Sequence, residues 1–511
     1  MIFRLYANCL KGGCMPKKTL YFDGYCGYVT AVVTEDGKMT EFNFEKTETG
    51  SIVGNIYRGR VESVLPGMQA AFVNCGLERN CYLSADDILP DADNYYAGTD
   101  AQSSFPELKP NDEIMVQIVK APVGKKGAKV TAQPTFVGKC LIYMPKTPFI
   151  GVSRKIADEE LRKNLAFSAD KLKDKDEGIV LRTAAPYAKR HQMETEYLYL
   201  KNIYADVKEK FSRAKVGDLL YAETSLPARV LRDTLSSDIN GITVGNAELC
   251  KEIENTVNLY PMLKKPQVTL FDSRRDMFDE LGIAEQILNI ASTRADLDNG
   301  AYLVIERTEA LTVIDVNTGK FTGDYNLEQT VYHTNILAAR EIARQMKLRN
   351  IGGIVVVDFI DMQNSEHKKA LVEELERALK TDKAKCVVSP MSRFGLVEFT
   401  RKRIGGSPLH LMTKPCKYCR EGGYTLSQEF ILFGLRAKIL GHVADGARAL
   451  RIDMNHEVLT KLSNWEEFRS DIAVKANGTE IYAVPHRTYH EEQYNMRRDS
   501  FELPDDAVKL C

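Results

Sequence analysis

No run of eighteen apolar residues interrupts this chain, so no segment of it reads as a membrane-spanning helix. An excess of one charge is missing as well: 69 Lys and Arg stand against 70 Asp and Glu, for a formal net charge of −1. That balance excludes a uniformly basic nucleic-acid binder, but it leaves room for local basic patches, which are all that phosphate contacts require. Cysteine is sparse, with eleven in 511 residues, scattered singly apart from one Cys-x-x-Cys. A secreted disulfide scaffold would be far denser, so the chain reads as a protein of a reducing cytosol. Tryptophan occurs once, at Trp465. Internal repeats and low-complexity tracts are absent. Residues 1–14 hold too short an apolar stretch for a secretory signal. Met15 reads as the natural start, with 1–14 as an over-extended or disordered tail.

What is present is a chain 44% hydrophobic, long enough for three or more domains. Residues 20–49 alternate apolar and polar around a turn at Glu35-Asp36-Gly37, which predicts an antiparallel hairpin. Short strands punctuated by Gly and Pro then recur to about residue 120. That spacing predicts a five-stranded OB-type barrel over 50–133, with a long loop at 91–112. Helices are expected over 156–172 and 194–214, a buried strand over 178–183, and mixed α/β structure over 227–268. Strands at 302–307 and 311–316 precede a helical stripe of Leu327, Val331, Ala338, Ile342 and Met346, which Gly352-Gly353 should stop. The all-apolar run 354–357 suggests a strand covered on both faces. A helix over 365–380 and a strand over 386–389 complete a helix-on-sheet layer. The tail, 424–511, reads as a small α/β domain.

Asp315 and Asp358 each follow an apolar run of sheet character, where a lone carboxylate is costly unless it is paired or bound to metal. Asn317, two positions after Asp315, shares its face. The pattern suggests a Mg²⁺ site, since Mg²⁺ takes one or two carboxylates together with waters and phosphate oxygens. Two aspartates that merely cap turns are the other reading. Phe72 and Tyr82, ten residues apart, can stack bases on an OB barrel or fill its core. Lys125-Lys126-Gly127-Ala128-Lys129 reads as a phosphate-following patch or a solvated loop. Arg182-Thr183 suits a terminal phosphate, or is an ordinary strand end. Cys416-Lys417-Tyr418-Cys419 supplies two of the four ligands that structural zinc takes. It is redox-active, incidental, or half of a zinc site shared by two chains.

Three long motifs occur in order: Leu311-Thr312-Val313-Ile314-Asp315-Val316-Asn317; Gly352-Gly353-Ile354-Val355-Val356-Val357-Asp358-Phe359-Ile360-Asp361-Met362; and Ser392-Arg393-Phe394-Gly395-Leu396. Together with Asn335 they resemble the catalytic half of the bacterial ribonuclease E/G family, and the resemblance runs from about residue 18 to the end. It implies an α/β multidomain fold. A mixed α/β, RNase H-like subdomain (15–49 and 227–290) would carry the OB-type barrel as an insertion, followed by a 5′-phosphate sensor region at 134–226. A DNase I-like catalytic domain (291–412), a zinc-link (413–423) and a C-terminal dimerisation domain (424–511) would complete it.

The resemblance also implies a Mg²⁺-dependent endoribonuclease that cuts single-stranded, AU-rich RNA, prefers 5′-monophosphate ends, and leaves 5′-phosphate and 3′-hydroxyl products. Asp315 and Asp358 would hold Mg²⁺, Asn317 would orient a carboxylate, and Asp361 is either beside the metal or a loop residue. Phe72, Tyr82, Lys126 and Arg393 would line the RNA path. Arg182 and Thr183, with Ser153-Arg154-Lys155 nearby, would bind the 5′-phosphate. Cys416 and Cys419 would share Zn²⁺ between protomers of a homodimer, with a homotetramer also known in the family. This chain has Ala185-Pro186 after Arg-Thr-Ala, where the family usually has Gly, and Lys417 where relatives commonly have Pro. The resemblance is expected to be to the shorter ribonuclease G branch of the family, without the long C-terminal scaffold. The substrates would be ribosomal precursors and messages, in the cytoplasm. No histidine is evidently placed for a 2′-hydroxyl-dependent route. A catalytically silent RNA-binding factor of the same fold, or a Mg²⁺ phosphohydrolase of small esters, are the competing readings.

Overall fold

A computed structural model describes residues 17–47, 52–88, 108–122, 126–153, 155–156, 158–235, 239–259, 265–319, 327–402, 406–416 and 423–510. The 1–14 segment, most of the 91–112 loop, Lys125, Arg154 and Cys419 lie outside the described residues. The chain divides into two compact units, one drawn from 1–48, 238–254 and 266–511, the other from 49–237 and 255–265. Both mix α and β structure. No described helix is long and apolar enough to cross a membrane.

In the second unit, strands Ile56–Leu65, Ala70–Asn74, Cys81–Ser84, Lys129–Thr131 and Glu113–Lys120 pair in that order, and the last returns to the first through Ile56↔Gln117 to Arg60↔Glu113. The five-stranded barrel is therefore closed, which removes the unpaired sheet edges that invite aggregation. Val61, Ala71, Val73, Leu83, Val116 and Val130 fill its interior. A Cβ on Gly59 would sit 2.5 Å from the Val73 side chain, so this strand position admits no larger residue. Cys75 and Cys81, which look isolated in the sequence, are hydrogen-bonded neighbours in the barrel core. A later strand, Leu219–Tyr221, adds to the start of Ile56–Leu65, a pairing too remote in sequence for local pattern to show.

Beside the barrel, strands Ile150–Val152, Gly178–Leu181, Leu141–Met144 and Phe136–Val137 form a sheet in that order. Helices Glu159–Asp170 and Arg190–Arg213 share its core through Leu165, Ala169, Tyr197 and Leu200. Asp158 caps the first of them by accepting from Leu161 N–H at 3.0 Å. The second begins four residues before the expected 194, where Gln192 accepts from Lys189 N–H at 2.7 Å.

The first unit opens with three strands rather than one hairpin: Lys18–Tyr25, Tyr28–Glu35 and Lys38–Lys46. Both connections are two-residue turns with positive φ, Cys26-Gly27 at 50° and 75° and Asp36-Gly37 at 50° and 81°, the hand that matches strand twist. Asp-Gly announces itself in sequence, whereas Cys-Gly does not. Strands Ile239–Val244 and Gln267–Leu270 extend this sheet in parallel. Its aromatic face shares a core with the C-terminal segment, with ring centroids of Tyr28 and Phe433 at 5.2 Å and of Phe44 and Phe430 at 6.0 Å. Helix Gln428–Ala444 is accordingly buried nearly all round.

A six-stranded sheet follows in the order Arg294–Asp296, Tyr302–Arg307, Leu311–Asn317, Gly353–Asp358, Leu396–Arg401, Cys386–Val388. Helices Leu327–Leu348 and Ser365–Leu379 cover one face, burying Ile314, Val316, Val355, Val357 and Phe399 against Ala338, Ile342, Leu371 and Leu375. The other face is open, with Ile354 49% exposed. The expectation that 354–357 is covered on both faces is therefore wrong: an apolar run does not reveal that only alternate side chains meet helices. The long helix also stops earlier than its glycine pair suggests. Asn350, at φ 47°, ends it, with Ile351 N–H donating to Met346 O and Asn350 N–H to Lys347 O, the left-handed C-cap pattern that Asn tolerates.

Candidate active site and nucleic-acid interface

Strands Leu311–Asn317 and Gly353–Asp358 are the parallel pair of the sheet, and their register sets Asp315 directly opposite Asp358. Neighbouring strands lie about 4.8 Å apart, so the two carboxylates leave the backbone side by side. Alternation turns Ile314 and Val316 toward the helices and puts Asp315 on the solvent face. Both aspartates are exposed. The cost of burial, which first singled them out, is therefore not what makes the pair unusual; their proximity is. Asn317 Nδ2 donates to Asp315 Oδ2 at 2.9 Å, leaving the other oxygen free of that bond. Partial burial first, then the charges of Asp315 and Asp361, push the Asp358 carboxyl above its ordinary value. Among the described residues no Lys or Arg pairs with either aspartate. Two like charges with no counter-ion among the described residues, presented by oxygen donors, suit a hard divalent cation such as Mg²⁺. Among the described residues no group of three His, Cys, Asp or Glu side chains forms a fuller metal cage.

The loop after Asp358 is pinned from the helix side. Asn335, fully buried, donates from Nδ2 to Ile360 O at 2.8 Å and accepts from Ile360 N–H at 3.1 Å. Glu328 accepts from the N–H groups of Gln363 and Asn364, each at 3.1 Å, and contacts His367 Nδ1 at 3.2 Å. Those backbone donors hold the Glu328 carboxyl below its usual range. Tyr332 stacks on His367 with centroids 4.3 Å apart. Sequence reading missed Glu328, Tyr332 and His367; the one local signal was Asn364, which caps helix Ser365–Leu379. Next to Asp358, across the neighbouring strand, lies Leu396 and with it the Ser392–Gly395 turn. Arg393 of that turn is exposed.

In the barrel, Phe72 and Tyr82 are directly paired across strands, with centroids 6.1 Å apart and planes at 70°. Both are half-buried, while their neighbours Ala71, Val73 and Leu83 point inward, so the two rings share the outer face and Phe72 is not barrel core. Lys126 is exposed just before the strand Lys129–Thr131, and Lys129, opposite Tyr82, is ion-paired to Asp87 at 2.7 Å. Phe72 and Tyr82 therefore share one outer face of the barrel, and Lys126 lies three residues before the strand that pairs with that of Tyr82.

Arg182 and Thr183 follow strand Gly178–Leu181, and Ser153 N–H donates to Leu181 O at 2.8 Å alongside them. Thr183 is exposed. The Arg182 guanidinium donates to Gly138 O and to Asp233 Oδ1, both at 2.6 Å. Asp233 is a partner the sequence did not suggest. Cys416 closes a hairpin of Thr413–Pro415 and Tyr424–Leu426, its N–H donating to Gly423 O at 2.8 Å.

Comparison with known proteins places these features in context. The model of the Ribonuclease E/G family matches residues 135–404. The chain is similar to Ribonuclease G of Escherichia coli (strain K12), 35% identical over 422 residues, which covers 81% of this chain and 86% of that protein. Ribonuclease G of Haemophilus influenzae is 35% identical over 412 residues, 80% and 84% of the two chains. Ribonuclease E of Synechocystis sp. is 35% identical over 371 residues, covering 72% of this chain and 54% of that one.

Proposed function

The chain belongs to the ribonuclease E/G family, and from that footing we propose that it is an endoribonuclease hydrolysing single-stranded RNA with Mg²⁺. The observation that carries the reading is the register of Asp315 against Asp358, with Asn317 fixing one of them. Bound there, Mg²⁺ would lower the pKa of a coordinated water and offset the charge of the scissile phosphate. The protein's own part is positional. Asp315 and Asp358 grip the ion, Asn317 holds the Asp315 rotamer, and the Asn335 clamp keeps the Asp358 loop in place. Arg393 offers a cation to the RNA backbone. In-line attack by water leaves a 5′-phosphate and a 3′-hydroxyl.

We read AU-rich stretches of ribosomal precursors and messages in the cytoplasm as the substrates, laid over Phe72, Tyr82 and Lys126. The layered sheet reads as DNase I-like and the first sheet as RNase H-like. The direct test incubates purified protein with 5′-monophosphorylated and 5′-hydroxyl single-stranded oligonucleotides, in Mg²⁺ or in EDTA. Cleavage is expected in Mg²⁺ alone, faster with the monophosphate. Equal cutting in EDTA would remove the metal assignment.

Protons and Mg²⁺ compete for Asp358. Because its carboxyl titrates above the ordinary range, apparent Mg²⁺ affinity should start to fall at a higher pH than an isolated aspartate would allow. Asp361→Asn removes one of the charges that raise it, so the loss should move to more acid pH. Calorimetric Mg²⁺ titrations carried from about pH 7 down through the ordinary aspartate range near pH 4 check this; a coincident pH dependence in the two proteins would refute it.

A 5′-monophosphate would take up the Arg182 N–H groups that Gly138 and Asp233 do not use, with the Thr183 hydroxyl beside it. Arg182→Ala should abolish the rate advantage of monophosphorylated over hydroxyl ends, about tenfold for one charge-assisted contact of 1.5 kcal/mol. An equal loss on both ends would mean a folding role through Asp233 instead. Cys416 and Cys419 of two protomers would together supply the four thiolates of one Zn²⁺ site and join a homodimer, which could in turn pair into a homotetramer. Cys416→Ser should lower bound zinc, read by atomic absorption, and shift the solution mass to monomer; an undisturbed oligomer counts against the shared ion.

A further inference from the structure

A single exposed apolar side chain is ordinary on a protein surface. Phe394 is set apart by its position and by how firmly its backbone is held. It is 84% exposed, in the turn that leads into strand Leu396–Arg401. Ser392 N–H donates to Leu396 O at 2.8 Å and Gly395 N–H to Ser392 O at 3.1 Å. The Ser392 hydroxyl accepts from Phe394 N–H at 3.3 Å and from Leu396 N–H at 3.2 Å. Gly395 adopts φ 83°, a conformation that glycine takes without steric cost. A rigid turn therefore presents the ring. The turn also abuts the acidic centre: Leu396 is paired with Asp358, and a Cβ at Gly395 would lie 3.6 Å from Asp361 Oδ1. Among the described residues no other ring and no cation stacks on Phe394.

We propose that Phe394 is the platform on which a base adjoining the scissile phosphate stacks, so that it selects single-stranded RNA at the point of cleavage. This rests on the reading of Asp315 and Asp358 as the hydrolytic centre. Every base has a π-face, so such a platform tolerates any sequence. A base inside a duplex is already stacked on its neighbours and cannot lie on the ring without unpairing, which makes the same contact a filter against double strands. Stacking a flanking base also fixes the phosphodiester between it and the carboxylates, and a fixed phosphodiester is what in-line attack requires.

The test uses the full chain and a single-stranded oligonucleotide with one cleavage site, intact or with an abasic ribose at either nucleotide flanking that site. Phe394→Ala should lower kcat/KM on the intact oligonucleotide by about ten- to hundredfold, the range that base–aromatic stacking supplies. Wild type should lose a similar factor when the stacked base is removed at one of the two positions, and Phe394→Ala should lose nothing more there. Phe394→Trp should restore the rate. A loss in Phe394→Ala that is the same on intact and on both abasic substrates, or no loss at all, overturns the proposal.

A second measurement separates it from the hydrolytic reading. A fluorescent purine analogue at the flanking position should be quenched on binding to the non-cleaving Asp315→Asn chain and not on binding to Asp315→Asn/Phe394→Ala. Quenching in a wild type that never cuts would uphold the platform and reject the hydrolytic centre. Cutting without Phe394-dependent quenching would do the reverse.

Discussion

Asp315→Asn and Asp358→Asn should each slow RNA cleavage by about a thousandfold or more while leaving single-stranded RNA binding nearly intact. Each tenfold in rate is about 1.4 kcal/mol of barrier, and a Lewis-acid centre supplies several kcal/mol at the transition state. Asparagine keeps the shape and loses the charge. Because the two carboxylates stand opposite each other on neighbouring strands, either substitution leaves one carboxylate to hold a divalent ion alone. RNA affinity is expected to persist because Phe72, Tyr82 and Lys126 lie on the barrel, in the other compact unit. Single-turnover cleavage beside filter binding reads both quantities. A mutant that still cuts at the wild-type rate would end the two-carboxylate assignment, and parallel loss of rate and binding would show that the substitution had unfolded the sheet.

Arg401→Ala should destabilise the six-stranded sheet by about 3–5 kcal/mol, the usual penalty for taking one partner from a buried ion pair. Arg401 and Asp382 are each only about 4% exposed, with Nε to Oδ2 at 2.8 Å. The same guanidinium donates to Asn350 Oδ1 at 3.0 Å and Ile351 O at 2.9 Å. It thus ties the last residue of strand Leu396–Arg401 to the C-cap of helix Leu327–Leu348, and Ala would remove the cation from the buried Asp382 carboxylate, which keeps the Ala384 N–H at 2.8 Å, and the guanidinium donor from the Ile351 carbonyl. The effect on chemistry should be small for the molecules that remain folded. Arg401 sits at the opposite end of its strand from Leu396, which neighbours Asp358, about 16 Å away at 3.3 Å per residue. Because a chain of two compact units has no single unfolding free energy, amide hydrogen exchange in strands 311–317 and 353–358 is the appropriate measure. Unchanged protection there would refute the prediction, as would a fall in kcat at full protection.

Sequence by itself determined the kinds of elements and the chemistry available to them. Period-two alternation marked the strands around Asp36-Gly37 and the barrel's short strands. The helical stripe from Leu327 to Met346 and the apolar runs ending in Asp315 and Asp358 announced a layered sheet. These signals are local: each depends on residues a few positions apart, where backbone geometry dictates which side chains share a face. Long in-order motifs added the family, which the comparisons bear out.

Tertiary structure alone decided everything that depends on which distant segments touch. Pattern could not say that Asp315 faces Asp358, because register between strands joined by a long crossover is fixed by helix packing rather than by either strand. Nor could it say that Ile354 looks into solvent, that Phe72 turns outward, or that Arg182 meets Asp233. The clamp from Asn335 to Ile360 and the bonds from Glu328 to residues 363 and 364 arise from the same crossover. A side chain's residue type is written in the chain, whereas its exposure and partners belong to the packed whole, since burial and hydrogen-bond satisfaction are set by neighbours that the backbone brings from far along the sequence.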